Sequence, residues 1–488
     1  MIQLPENPRC QAAIAVALLL LLGCRTGKQH QASTLPTPSA ADSRPLVQTE
    51  SADSRVQLAS LDQPGDVVDD LPTPHPGDAE LLNPVQPLEG ESLADLEAWA
   101  LAANPTLRRM RQEAAAEWAK TGYVSKLPDP TIGAMAFTPP MNFEPDRQLA
   151  EVQVMQMIPW IGRLKAEAQR AHLEALVAVN LYQAERLRVI GDIRASWYKL
   201  YVLHKQVETT EADKAQLESL LHTANARVRT GDAQSGDVLL ATLELSSLEE
   251  QLITFRQEMA STAAELNRLV GRNAQTPIEG PASIAPEFPA WDHELLRQIA
   301  FTRQPELNAA RLRTAATRWG IEVARLKRRP DLTFGLGWIV MDAPGAVMPD
   351  AGEDSLTLGV TASIPLWRRK YDAMYSEASR EHCAAHASEE EVVLQLDSLL
   401  SDLWAQASAS QQTVELYETT ILPQARQTFA ADQASLINNA VTFDRVIRDY
   451  RTLLNLQLGY HRALGQLATA LARIRQAVGE DLAAMPEP

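Results

Sequence analysis

Four short segments of this chain alternate apolar and polar residues, and they occur as two pairs between very long helical segments. The clearest pair comprises residues 331–340, DLTFGLGWIV, and residues 355–364, SLTLGVTASI. About ten residues are what a tilted strand needs to cross a bilayer, with apolar side chains facing lipid and small polar ones facing a lumen. Four strands cannot close a barrel, because the smallest closed barrels have about eight. We therefore expect several copies of the chain to pool their strands, and three copies would supply twelve.

The other pair of segments, about residues 130–138 and 148–158, is less regular. Val152 and Val154 share a face with Gln156, so this pair alone is equally compatible with a soluble hairpin. Its interpretation as a second membrane hairpin rests on an internal repeat of the chain.

The repeat has a spacing of about 200 residues, and its matching segments occur in the same order in both halves. Each unit reads as helix, strand, loop, strand, long helix, reversal and long helix. The matches are NPTL (104–107) with QPEL (304–307), LPDPTIG (127–133) with RRPDLTFG (328–335), MIPWIGR (157–163) with SIPLWRR (363–369), and QSGDVLL (234–240) with VTFDRVI (441–447).

The helical segments are predicted to be unusually long. Residues 163–228 contain no proline and only one glycine, Gly191. A helix of that length would extend about 100 Å at 1.5 Å per residue. Its apolar residues recur at three-to-four spacing, which is typical of helices that pack side by side as in coiled coils. The second unit predicts helices over 368–440 and 442–476, with a kink at Pro423.

A tight reversal is predicted between the two long helices of each unit, at residues 229–238 and 436–446. Gly231 permits a left-handed stop, and Ser235 and Thr442 are expected to cap the helices that follow. Acidic residues at the reversals would either form a cation-selecting ring at a pore mouth or compensate helix dipoles. These acids are Asp232, Asp237 and Asp444.

Composition narrows the classes of partner. The formal net charge of −17 argues against nucleic acid or an anionic membrane surface, because both select basic patches. Three cysteines are too few for a disulfide framework, so we expect stability to come from packing and assembly.

The N-terminal region reads as a targeting segment. Residues 12–22 form an apolar run that is too short to span a membrane as a helix but fits the core of a signal peptide. The sequence LLGC (21–24) resembles a bacterial lipoprotein cleavage site with Cys24 as the lipidated residue; the alternative is an ordinary secretory signal with a chance cysteine. We expect a signal peptide at 1–23, a flexible Pro/Ser-rich tether at 24–87, a first repeat at 88–270, a linker at 271–291, a second repeat at 292–480 and a tail at 481–488.

No catalytic constellation is visible in the sequence. Phosphate-binding Gly loops ending in Lys-Ser/Thr, GxSxG, HExxH and CxxC motifs are all absent, and we expect neither an enzyme nor a cofactor. His382 and His386 lie one helical turn apart, with Glu390 one turn further. That spacing can hold zinc or copper, but it is equally typical of a solvated helix face, so the pair is only a weak metal candidate.

Together these residues resemble the outer membrane efflux family, the TolC-like channels. The resemblance covers roughly residues 88–480 and rests on NPTL and QPEL, the paired strands, the reversal RTGDAQSGDVL and the GC lipid site. The segments LPDPTIGAMAF and VQVMQMIPWIGRLKAE are similar to heavy-metal-efflux members of the CusC and CzcC type.

The resemblance implies a mainly α protein with a small β part, assembled as a homotrimer. It also implies a twelve-stranded outer-membrane barrel and an α-helical tunnel through the periplasm, which docks to an adaptor protein of an inner-membrane pump. On that pattern the chain would conduct metal cations or small toxic compounds passively. Residues at the two docking tips would be Arg229, Thr230, Gly231, Asp232 and Ser235, and Asn438, Asn439, Ala440, Val441 and Thr442.

The residues themselves are compatible with two other hypotheses. A periplasmic coiled-coil scaffold or adaptor lipoprotein without a pore would share the long helices and the lipid site. An enzyme that uses His382 and His386 ranks last, because nothing else in the sequence supports it.

Overall fold

The computed structural model describes residues 92–137, 147–230, 234–286, 288, 292–342, 352–437 and 440–479. Within these residues the chain is mainly helical with one small antiparallel sheet, which confirms the predicted fold class. The predicted signal peptide, Cys24, the tether and the tail lie outside the described residues.

Both halves of the chain contain the same elements in the same order. The first half comprises α1 (Leu93–Ala103), α2 (Pro105–Val124), β1 (Thr131–Ala136), β2 (Arg147–Ile158), α3 (Arg163–Thr230) and α4 (Ser235–Val270). The second comprises α5 (His293–Arg303), α6 (Pro305–Leu326), β3 (Leu332–Asp342), β4 (Ser355–Ala362), α7 (Arg368–Leu416), a π-helical turn (Tyr417–Ile421), α8 (Leu422–Ile437) and α9 (Phe443–Val478).

The start of α2 and the start of α6 have the same local cause. Asn104 accepts a hydrogen bond from the Thr106 amide at 2.8 Å, and a proline occupies the first helical position. Gln304 accepts from the Glu306 amide at 2.9 Å, again before a proline. A side-chain acceptor satisfies an amide that lacks an intrahelical partner, and proline has no amide to satisfy.

The two halves also end their last helices alike. Gly271 follows α4 with φ 82°, and Gly479 follows α9 with φ 89°. This left-handed conformation favours glycine at a helix end. A Cβ on Gly271 would lie 3.0 Å from the Ala103 carbonyl oxygen, and one on Gly479 would lie 3.2 Å from that of Arg303. In each half the glycine therefore lets the last long helix stop against the end of the first short helix.

The sheet has the order β1-β2-β3-β4, and all neighbouring strands are antiparallel. Its central pair, β2 with β3, joins the two halves of the chain. The hairpins β1-β2 and β3-β4 each come from one half. The strands thus form one continuous sheet with β1 and β4 at its two edges.

The helices form a layer with α3 at its centre. This helix has 68 residues, about 100 Å at 1.5 Å per residue, and its length agrees with the sequence pattern. It packs against α2 and α4 of its own half and against α6 and α9 of the other half. The second half adds α7 against α6 and α9, and α8 against α9. One margin of the described chain is therefore β1, α2 and α4, and the other is β4, α7 and α8.

The π-helical turn interrupts what the sequence predicts as one long helix. Residues 417–421 widen the backbone immediately before Pro423, where a kink is predicted. Proline removes one backbone donor and crowds the preceding turn, and a π turn is one way to absorb both effects.

A single carboxylate connects the base of the sheet to the long helices. Asp331, just before β3, accepts hydrogen bonds from Arg163 Nη1 at 2.8 and 2.9 Å. It also accepts one from the backbone amide of Trp160 at 3.0 Å. Both charged side chains are largely buried, with 16% exposure for Arg163 and 20% for Asp331. Because Arg163 begins α3 in the first half and Asp331 belongs to the second half, this contact fixes one half against the other.

We expect Asp331→Ala to lower the free energy of unfolding by about 2 to 4 kcal/mol, because it leaves a largely buried guanidinium without its carboxylate. Urea unfolding of the detergent-solubilised protein measures this loss. The matched control is Asp372→Ala, which removes an exposed ion pair with Arg328 and should cost less than about 1 kcal/mol. Equal losses in both variants would contradict the assigned role of Asp331.

Candidate functional site

The two faces of the sheet differ in chemistry, and the register shows it row by row. Ile132, Val154, Leu336 and Leu358 lie opposite one another across the four strands. These apolar side chains are exposed by 65%, 41%, 47% and 84%. The adjacent row, on the other face, is Gly133, Gln153, Gly337 and Thr357. One face of the sheet is therefore apolar and open, and the other is small and polar.

The edge strands of the sheet are paired on one side only within the described residues. β1 bonds to β2, and β4 bonds to β3. The outer backbone donors and acceptors of β1 and β4 are a template for another strand. Such an edge combined with an apolar face cannot lie in lipid unless a further strand covers it.

The helical margins carry exposed apolar side chains as well. On α4 these lie at intervals along one margin, and on α7 they lie along the other. The exposed apolar side chains are Leu239, Leu243 and Ile253 on α4, and Leu394, Leu399 and Leu416 on α7. Where large apolar side chains form a patch on the outside of a layer, the patch is typical of a surface that contacts another molecule.

The helix ends that flank the two predicted reversals lie side by side. Arg227, near the end of α3, donates a hydrogen bond to the Leu436 carbonyl oxygen of α8 at 2.8 Å. Leu220, Ala224, Leu436 and Phe443 belong to one buried cluster. The structure therefore brings together the described helix ends that lead into the two predicted tips.

Among the tip residues proposed from the sequence, the structure describes six. Arg229, Thr230, Ser235, Ala440 and Thr442 are exposed, and Val441 packs partly against the buried cluster. The others lie outside the described residues. They are Gly231, Asp232, Asn438 and Asn439.

The expected capping by Ser235 is wrong by one position. Gln234 is the N-cap of α4, and Ser235 is already helical. Asp237 accepts a hydrogen bond from the Gln234 backbone amide at 3.3 Å, so it satisfies a free donor of the first turn. Thr442 does occupy the N-cap of α9, although its side chain makes no capping hydrogen bond. Asp444 pairs with Arg448 at 2.9 Å on the same helix.

Charged and polar groups are buried behind the tips. Glu244 of α4 accepts a hydrogen bond from Arg451 Nε of α9 at 2.6 Å and is 6% exposed. Tyr450 donates to the backbone carbonyl oxygen of Asp213 at 2.9 Å. The Asp213 carboxylate keeps one buried oxygen without a hydrogen-bond partner, and burial raises its pKa to about 6.

A pair of carboxyl groups lies at the second reversal. Asp432 of α8 accepts a hydrogen bond from Arg445 Nε of α9 at 2.6 Å. The carboxyl group of Asp449 on α9 neighbours that of Asp432, and burial together with this neighbouring carboxylate raises the pKa of Asp449. Asp449 is therefore the more readily protonated of the two.

His382 and His386 point to different partners. His382 Nδ1 lies 3.1 Å from the Thr317 hydroxyl of α6, and His386 lies 3.3 Å from Glu390 on its own helix. Within the described part of the chain, no group of three or more His, Cys, Asp or Glu side chains is arranged to hold a metal ion.

No helix of the described residues is both long and apolar enough to cross a membrane.

The chain belongs to the family of outer membrane efflux proteins, because residues 98–272 and 296–480, well over half of it, match the model of that family. It is accordingly a protein of the outer membrane. A curated relative, the pyoverdine export outer membrane protein OpmQ of Pseudomonas putida, is 23% identical over 217 residues, 44% of this chain. The match spans 46% of the length of that relative.

Solved outer-membrane proteins share the fold. The outer membrane protein VceC of Vibrio cholerae matches with a TM-score of 0.69 and 18% identity, covering 80% of this chain and 96% of that one. CusC matches with a TM-score of 0.69 and 14% identity, covering 82% and 96%. The open state of the MtrE channel of Neisseria gonorrhoeae gives 0.65 and 13%, covering 80% and 89%. CusC and VceC have equal TM-scores, so both show the shared fold equally well.

Sequence reasoning missed the groups that hold the site together. Asp331 was read as part of a repeated motif, without its contact to Arg163. Glu244 and Asp213 lie within the predicted long helices, and no motif in the sequence marks them. The one signal for Asp213 was an acid placed between Thr210 and Leu217, on the apolar seam of α3, at helical spacing.

We expect Asp213→Asn to stabilise the protein near neutral pH. Because the pKa is raised on folding, to about 6 from 3.8, the folded state binds the proton more tightly, and stability falls as pH rises between those values. The gain should be about 1 to 2 kcal/mol, below the full conversion at about 1.36 kcal/mol per unit because the site is partly hydrated.

Thermal unfolding of wild type and Asp213→Asn at about pH 7.5 and about pH 4.5 measures this effect, since the gain should shrink at the lower pH. Glu218→Gln, at an exposed position of the same helix, is the matched control and should change stability by less than about 0.5 kcal/mol. A pH-independent effect of Asp213→Asn would contradict the burial of its charge.

Proposed function

We propose that this chain is the exit duct of a tripartite efflux system. It conducts solute passively from a periplasmic adaptor and an inner-membrane pump through the outer membrane to the outside. The duct itself catalyses no reaction and binds no cofactor, and the pump supplies the energy. Lipidation at Cys24, which lies outside the described residues, would tether each copy to the membrane.

The observation that carries this proposal is the four-stranded sheet with one apolar face and two unpaired edges. In lipid every backbone group needs a partner, so β4 of one copy must pair with β1 of the next. Because β1 and β4 are different surfaces, the contact is head-to-tail and generates a ring when the rotation closes.

Three copies fit a duct better than two. Two copies give eight strands, and the interior of an eight-stranded barrel is just wide enough for its own side chains. Three copies give twelve strands and leave room for water and solute along the polar face. The homotrimer implied by the family resemblance agrees with this count.

The internal repeat supports the same ring. Inside the chain, α3 of the first half packs against α6 and α9 of the second, and β2 pairs with β3. The corresponding surface of the second half consists of α7, α8 and β4, and that of the first half consists of α2, α4 and β1. In the described part of the chain these two surfaces do not pack against each other extensively. A neighbouring copy would make the missing set of contacts.

The proposed cargo is a small exported compound or a metal cation. The curated relative is named for pyoverdine export, and CusC is among the similar structures. The resemblance of LPDPTIGAMAF and VQVMQMIPWIGRLKAE to heavy-metal members favours metal cations. Asp237 and Asp444 already have a capping contact and an ion pair, so their part in a cation-selecting ring would require the assembled trimer.

The tips are the proposed contact with the adaptor. The helix ends that flank both reversals lie together, at the end of α3 that is far from the sheet. Their exposed side chains are the natural surface for a periplasmic partner, and a ring of three copies would present six tips.

We expect Leu358→Arg to prevent assembly in the membrane, because an arginine facing lipid at mid-bilayer costs about 2 to 4 kcal/mol. The matched control is Thr357→Arg, at the preceding residue of the same strand, whose side chain faces the polar side. This control should still assemble and should change the conductance of the pore. Mass in detergent and single-channel conductance in planar bilayers measure both results.

The same two measurements test the duct itself. The wild-type protein should have the mass of three chains and should form water-filled channels. A monomer that stays soluble without detergent once Cys24 is replaced by serine would exclude the duct and favour the periplasmic scaffold.

We expect a photo-crosslinking amino acid at Ser235 to capture the periplasmic adaptor in living cells, since this residue is exposed at the first tip. Mass spectrometry identifies the product. The control position is Glu353, which is exposed beside the strands at the other end of the molecule. Adaptor captured from Glu353 but not from Ser235 would overturn the assignment of the tips.

A further inference from the structure

The ion pair between Arg163 and Asp331 has a counterpart in the repeat whose two residues do not pair within the described chain. Arg163 and Asp331 join the two halves through two hydrogen bonds, at 2.8 and 2.9 Å. The repeat aligns LPDPTIG (127–133) with RRPDLTFG (328–335), which matches Asp129 to Asp331. It aligns MIPWIGR (157–163) with SIPLWRR (363–369), which matches Arg369 to Arg163. The same acid and the same base therefore occur twice.

The counterparts lie on opposite margins of the molecule. Asp129 lies two residues before β1, and Arg369 lies in the first turn of α7 beyond β4. Both side chains are exposed. In the described part of the chain neither one forms an ion pair, whereas Arg163 and Asp331 do. In a head-to-tail ring, the exposed carboxylate on one margin of a copy would face the exposed guanidinium on the opposite margin of its neighbour. The two groups are complementary in charge.

The residues beside this pair are complementary too. In the chain, the Arg329 guanidinium lies over the Trp160 ring at 5.6 Å. The repeat matches Arg329 to Leu127 and Trp160 to Leu366. Leu127 is 48% exposed and Leu366 is 73% exposed. A cation–π contact within the chain would thus be replaced between copies by two leucines that cover each other.

The strand register gives an independent check. The observed pairing of β2 with β3 places Ile158 opposite Leu332 and Val154 opposite Leu336. The repeat matches β2 to β4 and β3 to β1, so the same pairing can be transferred to β4 of one copy and β1 of the next. It then places Ile132 opposite Ala362, Ala134 opposite Val360, and Ala136 opposite Leu358. All of these belong to the apolar face, and the intervening Gly133 meets Thr361 on the polar face. A register one residue away would oppose apolar to polar side chains along the whole edge.

We propose that Asp129 of one copy pairs with Arg369 of a neighbouring copy, and that this ion pair fixes the register of β1 against β4 at the subunit seam. The proposal rests on the ring argued above and deepens it. The occupant of each open edge is a second copy of the chain. Arg369 does between copies what Arg163 does within one, so every seam of the ring, internal or between copies, has the same acid–base contact at the base of the sheet.

Cross-linking tests the pair directly. Asp129→Cys and Arg369→Cys are combined in a Cys383→Ser background, because Cys383 is an exposed free thiol. An Arg–Asp contact is too long for a disulfide, so a short bifunctional thiol reagent is used on the assembled full-length protein. We expect a covalent product of three chains. Each single variant should give none, and the two single variants coexpressed should give products of at most two chains.

A negative control sets the reach of the reagent. Glu381→Cys lies twelve residues further along α7, about 18 Å at 1.5 Å per residue, and should not link to Asp129→Cys. A trimeric mass in detergent without any product from the Asp129 and Arg369 pair would overturn the seam contact while leaving the duct intact. A monomeric mass would overturn both, so the two failures are distinguishable.

Charge reversal provides a second readout. Asp129→Arg or Arg369→Asp alone should lower the temperature at which the trimer dissociates, because like charges then meet at the seam. Asp129→Arg combined with Arg369→Asp should recover most of that loss. Equal or larger loss in the double variant would overturn the pair.

Discussion

A β-strand at the edge of a sheet leaves a row of backbone donors and acceptors unsatisfied, and lipid supplies nothing to satisfy them. The rest of this molecule depends on that constraint. Four strands with an apolar outer face have two such edges, and the helices on either side continue the same two margins down the length of the layer. The strand edges, the exposed leucines of α4 and α7, and the exposed charges of Asp129 and Arg369 at the base of the sheet therefore lie along the same two margins. We infer that these margins are the surfaces that contact neighbouring copies.

The internal repeat explains why each margin exposes these particular elements. Each half is a unit that contacts the next through β2 with β3 and through α3 with α6 and α9. Two units in one chain make that contact once. The two halves can still differ in chemistry: Glu97 of α1 pairs with Arg194 of α3 at 2.6 Å, whereas Arg297, at the matching position of α5, pairs with Asp397 of α7 at 2.6 Å. Both halves therefore have an ion pair between the first short helix and the first long helix, with the charges exchanged.

Periodicity predicted most of the fold because it depends on neighbours in the chain. The alternation around Leu336 and Leu358, the length of α3 and the prolines that start α2 and α6 are local signals. The π turn at 417–421 and the Arg163–Asp331 contact are not, since they depend on packing between distant segments. The predicted capping position is wrong by one residue because serine is a favoured N-cap residue, whereas in the structure Gln234 occupies that position and Asp237 accepts its backbone amide. The family motifs predict where the tips lie, but they do not predict which side chains there pack inward, as Val441 partly does.

The position of the Asp331 contact matters more than its strength. Arg163 begins the longest of the described helices, and Asp331 directly precedes β3, one of the two central strands of the sheet. A small rotation at this point would be carried about 100 Å to the tips by a rigid helix. An acid–base pair that fixes the orientation of the helix relative to the sheet at every seam would therefore align the barrel and the tips with the same set of contacts. The sheet needs neighbours to satisfy its backbone, and the helices need the same neighbours, in the same register, to form one continuous wall.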